Sequence, residues 1–594
     1  MDSPAILTVP CCETGHGGGH LTRCISLVKD LRAVNREALL YIPKQLVTAQ
    51  TENLFKSMNL NLSWLITDPS LVSLRLYRMI ILDRFKTPLD ELLYWKKIAP
   101  VIGIDEGGSF RDNFDFLIDI LIPEKIGKPH ANTADPSLLK FPSNSCRKDK
   151  KNDMENNAVK VLITFGQEDP SNLGLKTART LSAKSEKHSM EITLLRGSLS
   201  KHKDQLPPKI QVIDAIPMLA EHLHEYDLVI THYGITAYEA FFAGTPVILD
   251  HPTSLHKKLS KAAGFYDIKY LNLFLKSITK QHQSMPASVK LQSKMSLAEL
   301  CSSFSPQVNR QCPVCGAKTG RGAARFNDRT YRRCSECGII YMDRICPPPI
   351  EYSNEYFFES YKKQYGKTYL EDFNSIKETG KRRIKTILKL SRKYNAKKPS
   401  LLDIGCAYGP FLLAAQEEGF LPAGIDTAED AVCYVQKELG IPAIQGFFPV
   451  SGSSFLIPDS YNVITLWYVM EHFQNCISAL TEIRKLLKPG GMLAFSTPSF
   501  SGISGRKNLR DFLSASPADH YTVWSPKMCR KALTLAGFKV KKTVVSGHHP
   551  ERFPLLGKFA DDRKSPVYRV LLTISRLFGL GDTFEVYAQI KENI

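Results

Sequence analysis

The chain has no uncharged apolar run approaching the roughly 20 residues a helix needs to cross a bilayer. Its opening residues, Met1, Asp2, Ser3 and Pro4, put no basic segment ahead of an apolar one. Neither a spanning helix nor a secretory leader is expected, and a cytoplasmic location follows. Acidic side chains are in short supply: 59 Asp and Glu stand against 78 Lys and Arg, a formal net charge of +19. That balance implies attraction to something anionic and leaves nucleic acid, an anionic membrane face and nucleotide phosphates open. The basic runs at residues 147–151, 381–398 and 506–510 read as solvated helix faces and linkers. Cysteine is plentiful, at 14 residues. Their dispersal, with four in one paired cluster, fits a reducing compartment better than a disulfide framework. At 594 residues and 43% apolar, the chain is expected to hold three or four globular domains.

The most informative stretch runs Leu401, Leu402, Asp403, Ile404, Gly405, Cys406, Ala407, Tyr408, Gly409. It reads as a buried strand breaking into a glycine turn, followed by a helical pattern and a second apolar segment ending at Asp426. A strand, a turn that lets the backbone approach a ligand, a helix and an acid about 20 residues on, placed for ribose hydroxyls, make a nucleoside cofactor site. Spacing alone leaves NAD and S-adenosylmethionine both open. Asp403 before the first glycine, with Gly405, Ala407 and Gly409 at alternate positions, resembles motif I of class I S-adenosylmethionine methyltransferases. Further ordered matches are the fourth strand at 461–466, Glu471 and His472 just after it, and Leu486, Leu487, Lys488, Pro489, Gly490, Gly491 before the strand at 492–496. A final pair of strands, 538–545 and 583–590, fits the antiparallel edge of that fold. The chain departs from the family pattern at Asn462 and in having no acid after Gln445 and Gly446. The resemblance implies S-adenosylmethionine as cofactor, held by Asp403, Gly405, Ala407, Gly409, Asp426 and Glu471.

The N-terminal half carries a second glycine loop, Gly15 to Gly19, between an apolar segment at 5–9 and a helical pattern at 24–31. A buried strand at 159–165 and another at 227–231 leading to Gly234 and Glu239 supply its partner. Together these resemble the GT-B glycosyltransferase superfamily, and by pattern the nucleotide-sugar hydrolase of the pseudaminic acid pathway. That resemblance implies two Rossmann-like halves and a loop in which Gly17, Gly19 and Arg23 contact a nucleotide sugar. In it His20 activates the attacking water, Glu239 holds the ribose, and Asp105 stands at a strand end facing the cleft. The chain departs from the hydrolase pattern at Leu255 and His256, and at His232 and Tyr233 in the second turn. Hydrolysis, transfer and simple binding all stay open.

Cys312, Cys315, Cys334 and Cys337 form two C-x2-C pairs 18 residues apart, each followed by glycine. Two knuckles each presenting two thiolates make a closed tetrahedral site, so structural Zn2+ is expected, with no open position for catalysis. Cys346 lies outside the spacing. The segment 352–369 is dense in Tyr and Phe, which suits a cap over the methyl-donor site, a stacking surface for a sugar, or helix core.

The expected fold is α/β: a GT-B-like N-terminal half at 1–145, its nucleotide-binding C-terminal half at 158–276, a linker at 277–310, a zinc ribbon at 311–346, a helical connector at 347–396 and a class I methyltransferase at 397–594. Methyl transfer is an in-line displacement that itself requires no metal, and the candidate bases are His472 and His520. The expected protein is a two-headed enzyme of glycan precursor synthesis, its partners a nucleotide sugar or glycan intermediate. The rival is an RNA-modifying methyltransferase with an inert N-terminal recognition module, although no Asn-Pro-Pro-Tyr tetrapeptide is present. Residues 567–578 read as an amphipathic helix able to lie on an anionic membrane.

Overall fold

The computed structural model describes residues 4–12, 18–139, 158–166, 169, 171–184, 189–197, 209–214, 216, 219–278, 295–318, 320–347, 361–391, 398–449 and 456–591. Gly17, residues 147–151, much of the linker and residues 352–360 of the aromatic segment lie outside them. The chain divides into two compact units, residues 1–306 with 325–328, and residues 307–324 with 329–594.

The first unit contains two parallel sheets. Strands β1 (Ala5–Pro10), β2 (Ala38–Tyr41), β3 (Leu65–Ile66), β4 (Tyr77–Asp83), β5 (Val101–Ile104), β6 (Phe116–Asp119) and β7 (Thr133–Ala134) lie in the order β3-β2-β1-β4-β5-β6-β7. Strands β8 (Val159–Thr164), β9 (Met190–Leu195), β10 (Ile210–Ile213), β11 (Leu228–Thr231), β12 (Val247–Leu249) and β13 (Tyr266–Asp267) follow as β10-β9-β8-β11-β12-β13. Both orders are Rossmann-like, with the switch point beside the first strand of each sheet. The apolar runs Ala5–Pro10 and Tyr77–Asp83 are buried almost throughout, as strands covered on both faces must be. Leu121, Ile126 and Leu139, which follow β6, pack into the core of the second sheet, and Tyr233 Oη donates to the Leu121 carbonyl.

Strand β14 (Gly320–Phe326), whose last two residues belong to the first unit, and β15 (Arg329–Cys334) and β16 (Ile340–Arg344) of the second unit follow the first cysteine pair. The main sheet is built from β17 (Ser400–Ile404), β18 (Leu421–Asp426), β19 (Ala443–Gln445), β20 (Tyr461–Trp467) and β21 (Leu487–Pro498). A short strand, β22 (Thr522–Val523), returns to extend the β14-β15-β16 sheet through antiparallel pairing with β16. Strands β23 (Phe538–Ser546) and β24 (Thr583–Ile590) complete the main sheet in the order β19-β18-β17-β20-β21-β24-β23, with β24 inserted antiparallel between its neighbours.

Two findings alter the domain boundaries expected from sequence. The helix Phe373–Leu390, assigned above to a connector, buries Ile384 and Ile387 in one core with Leu401, Phe411, Leu412 and Val463 of the main sheet layer. Its apolar positions carry no signal of which sheet they cover. The cysteine ribbon likewise has no separate core: Cys312, Val314, Cys334, Cys337 and Ile339 share one cluster with Ile404, Leu480, Phe495 and Trp524.

Candidate active site

The first glycine loop of the second unit is shaped by left-handed backbone. Gly405 and Gly409 have φ of +75° and +77°, and a Cβ on Gly405 would meet Val469 Cγ2 at 2.4 Å. Ala407, at φ +48°, takes the same conformation at some cost and is held there. The holder is Asp426 at the end of β18: Oδ2 accepts the Ala407 N–H at 2.7 Å and Oδ1 the Ala428 N–H at 2.9 Å. A carboxylate accepts about four hydrogen bonds, so Asp426 keeps capacity for the ribose hydroxyls expected of it while pinning the loop. Burial raises its pKa, opposed by the backbone donors. Asp403 lies deeper, with Thr465 donating to Oδ1 at 2.6 Å; burial pushes its pKa well up. It braces the strand end through Thr465. Asn462, the departure in the fourth strand, accepts from Ser400 N–H at the opposite end of β20.

Over this loop sits the described part of the aromatic segment. Tyr369, Leu370 and Phe373 pack on Ala407, Tyr408, Ala428 and Ala431, and the Tyr369 ring lies 6.1 Å from that of Tyr408. Tyr369 is also close enough to Asp403 and Asp426 for their charges to add to burial in raising its phenol. These residues cover the glycine loop as well as filling core.

Glu471 and His472 occupy a short 3-10 turn after β20, reached through Tyr468 at φ +61°. Glu471 is 1% exposed and neither carboxylate oxygen closes a hydrogen bond; Thr497 lies toward it, its own hydroxyl also unsatisfied. Burial pushes Glu471 up to about 7, with His472 and Thr497 opposing. Such unsatisfied buried groups are rare in folded proteins and mark places completed by a ligand or ion. His472 Nδ1 lies 2.8 Å from Asp519 Oδ2. Burial disfavours the imidazolium, but Asp519 and Glu471 outweigh it and hold the pKa above the ordinary value. Asp519 therefore orients His472. The His520 ring stands nearly perpendicular to that of His472, at 87° with centroids 4.7 Å apart. Burial and the charge of His472 lower it to about 3, so it stays neutral. The structure thus gathers Glu471, His472 and His520 and adds Asp519.

In the first unit His20 Nδ1 lies 2.8 Å from Asp83 Oδ1, and Arg23 holds the same carboxylate through Nε at 2.7 Å and Nη2 at 2.5 Å. Burial opposes the charge on Asp83, but Arg23 and His20 outweigh it and hold the acid well below its ordinary range. Asp83 was not among the expected residues, although it ends the apolar run 77–83 at a strand terminus. Arg23 is buried and spends its guanidinium on Asp83 and Asp105. Asp105, expected to face the cleft, is buried at φ +52°; Oδ1 accepts from the N–H groups of Ile120 and Leu121, and Oδ2 from Arg23. Gly19 opens the helix Gly19–Ala33 and Gly234 precedes the helix Ile235–Phe242. On that helix Glu239 is half-buried, its carboxyl pushed up to about 7 by burial. Near the end of β8 a small cavity is lined by Gly166, Asp169, Asn172 and Arg196.

The four ribbon cysteines come together as two contacts, Cys312 Sγ to Cys337 Sγ at 3.7 Å and Cys315 Sγ to Cys334 Sγ at 3.6 Å, all four within 4.8 Å of one another. Bonds of about 2.3 Å to one tetrahedral ion imply sulfur separations of about 3.8 Å.

Residues 376–543 match a family model described as a methyltransferase domain. A stretch of 131 residues is 31% identical to an uncharacterized protein of Methanocaldococcus jannaschii, covering 20% of this chain and 24% of that protein. Over 135 residues the chain is 27% identical to a ubiquinone biosynthesis O-methyltransferase of Idiomarina loihiensis, covering 21% of this chain and 51% of the relative. The same-named protein of Paracidovorax citrulli is 30% identical over 128 residues, covering 21% and 50%. The chain spans at most about half the length of these curated relatives. Among solved structures, a SAM-dependent methyltransferase from Archaeoglobus fulgidus aligns with 39% of this chain and 99% of its own, at 16% identity and a TM-score of 0.28. The family match falls on the segment that carries the glycine loop, Asp426 and Glu471, so residues 376–543 are similar to a methyltransferase domain.

Proposed function

We propose that the second unit moves a methyl group from S-adenosylmethionine to a hydroxyl of a sugar or sugar-linked intermediate. The observation that carries this reading is the pairing of Asp426 under the glycine loop with an unsatisfied, buried Glu471 beyond the next strand. S-adenosylmethionine supplies an electrophilic methyl on sulfur; Gly405, Ala407, Gly409 and Asp426 would hold it, with Asp403 bracing the strand beneath. The chain's own work is to align an acceptor oxygen, exclude water beneath Tyr369, and withdraw the acceptor's proton at the cluster of Glu471, His472 and His520. The ubiquinone O-methyltransferase relatives support oxygen as the acceptor atom.

The sugar assignment comes from the first unit. Its two Rossmann-like sheets support a GT-B-like pair acting on a nucleotide sugar, with His20 as base: Asp83 engages Nδ1, leaving Nε2 to accept a proton. Glu239 and the cavity near β8, alongside Gly19 and Gly234, would hold the nucleotide. The four-thiolate geometry supports structural Zn2+. The segment 555–578 exposes Leu555, Leu556, Phe559, Val570, Leu577 and Phe578 beside Lys558, Arg563, Lys564, Arg569 and Arg576, which supports contact with an anionic membrane. No helix among the described residues is long and apolar enough to cross one.

The test is transfer of labelled methyl from S-adenosylmethionine into a fractionated extract, with Asp426→Ala as control. Label in nucleotide sugars or lipid-linked glycans supports the reading; label confined to RNA overturns it.

A further inference from the structure

We propose that Glu471, His472 and His520 bind a divalent first-row transition-metal cation, at a site separate from the four cysteines. One donor atom from each of the three residues lies within 4.8 Å of the others. The inference rests on reading this pocket as the acceptor side of the methyltransferase, and it names what completes that pocket.

Four observations converge. The donor set, two imidazoles and one carboxylate, is the one that first-row divalent ions favour over Mg2+ or Ca2+, which prefer all-oxygen sites. Glu471 is fully buried with both carboxylate oxygens unsatisfied, a state a cation ligand relieves and an apolar neighbour does not. The His472 ring is fixed by Asp519 at 2.8 Å, the arrangement by which outer carboxylates orient ligating histidines. The His472 and His520 rings meet edge to face at 87°, and one donor nitrogen of each lies within 4.8 Å of the other. Sequence alone shows none of this, because His520 is far along the chain from the Glu471-His472 pair. Three protein ligands leave coordination positions for water or for an acceptor oxygen, which a cation would polarise. The displacement itself still needs no metal; the cation would hold the nucleophile.

The test uses the full chain, stripped with a chelator, reloaded with Zn2+, dialysed and assayed for metal per chain by mass spectrometry. Wild type is expected to hold about one equivalent more than His520→Gln or Glu471→Gln, while Cys312→Ser with Cys334→Ser removes only the ribbon equivalent. Reloading with Co2+ gives a second readout: thiolate-to-metal absorption persists in His520→Gln and vanishes in the cysteine variant. Asp426→Ala, tested by calorimetry, is expected to lose S-adenosylmethionine binding yet keep both metals, which separates failure of this site from failure of the methyl-donor reading. Equal metal content in wild type, Glu471→Gln and His520→Gln overturns the proposal.

Discussion

Asp519 Oδ2 lies 2.8 Å from His472 Nδ1, and the carboxylate and ring belong to segments that meet only in the folded chain. The pair raises the pKa of His472 above its ordinary value against the opposing effect of burial, with Glu471 adding to the rise. A histidine whose folded pKa is raised contributes stability that is fully present below its unfolded pKa and lost as pH rises through the folded one.

Asp519→Asn removes that support. The stability difference between wild type and variant, followed by urea denaturation, is expected to be largest in mildly acid buffer and to shrink as pH rises through the folded pKa. In the methyl-transfer assay kcat falls by about 10- to 100-fold, and the acid limb of the rate profile moves to lower pH. A difference that grows with pH contradicts the assignment.

Asp426 pins the glycine loop and is the residue proposed to hold the cofactor. Asp426→Ala leaves the Ala407 and Ala428 N–H groups without their acceptor. Each buried orphan costs about 1–3 kcal/mol. Calorimetry is expected to show loss of S-adenosylmethionine binding together with a lower Tm for the second unit. Asp426→Asn keeps an acceptor oxygen and recovers part of the Tm but not the affinity.

Arg23 and His20 share Asp83 but differ in consequence. Arg23 is buried between Asp83 and Asp105, and removing one partner of such a network costs about 3–5 kcal/mol. Arg23→Ala is expected to lower the stability of the first unit by that order. His20→Ala leaves Arg23 on Asp83, changes Tm little and abolishes turnover of a nucleotide sugar. Equal loss of Tm in both variants would show that His20 is structural.

Because the cysteine ribbon shares its core with the main sheet, metal removal is expected to reach the methyltransferase. A chelator, or Cys312→Ser, should lower the unfolding temperature of the whole second unit in a single transition. An unchanged main transition, with loss only of a small early one, would show an independent ribbon.

Liposome sedimentation tests the exposed apolar segment. Vesicles containing anionic lipid are expected to retain the chain and neutral vesicles to release it, and Phe559→Ser with Phe578→Ser to abolish retention. Added salt weakens the electrostatic part.

The methyltransferase core was legible because its signals are local. The run 401–409, the acid at 426 and the glycine pair 490–491 each specify a strand end or a turn, and their order along the chain specifies the sheet. The cysteine pairs were legible for the same reason, since a knuckle is built within five or six residues. Less could be read where a side chain's role depends on what reaches it from afar. Arg23 has the motif position of a ligand contact but is consumed by Asp83 and Asp105, 60 and 82 residues away. The helix Phe373–Leu390 shows an apolar stripe without showing that the stripe covers β17 and β20.

By itself, then, the sequence determined the strand-turn-helix units, the cofactor loop and the thiolate set, because backbone conformation and side-chain period act over a few residues. Only the tertiary structure decided that Asp83 engages His20, that Asp519 serves His472, and that donor atoms of Glu471, His472 and His520 lie within 4.8 Å of one another. Those outcomes depend on burial and on distances between separate elements, which follow from packing and not from position in the chain.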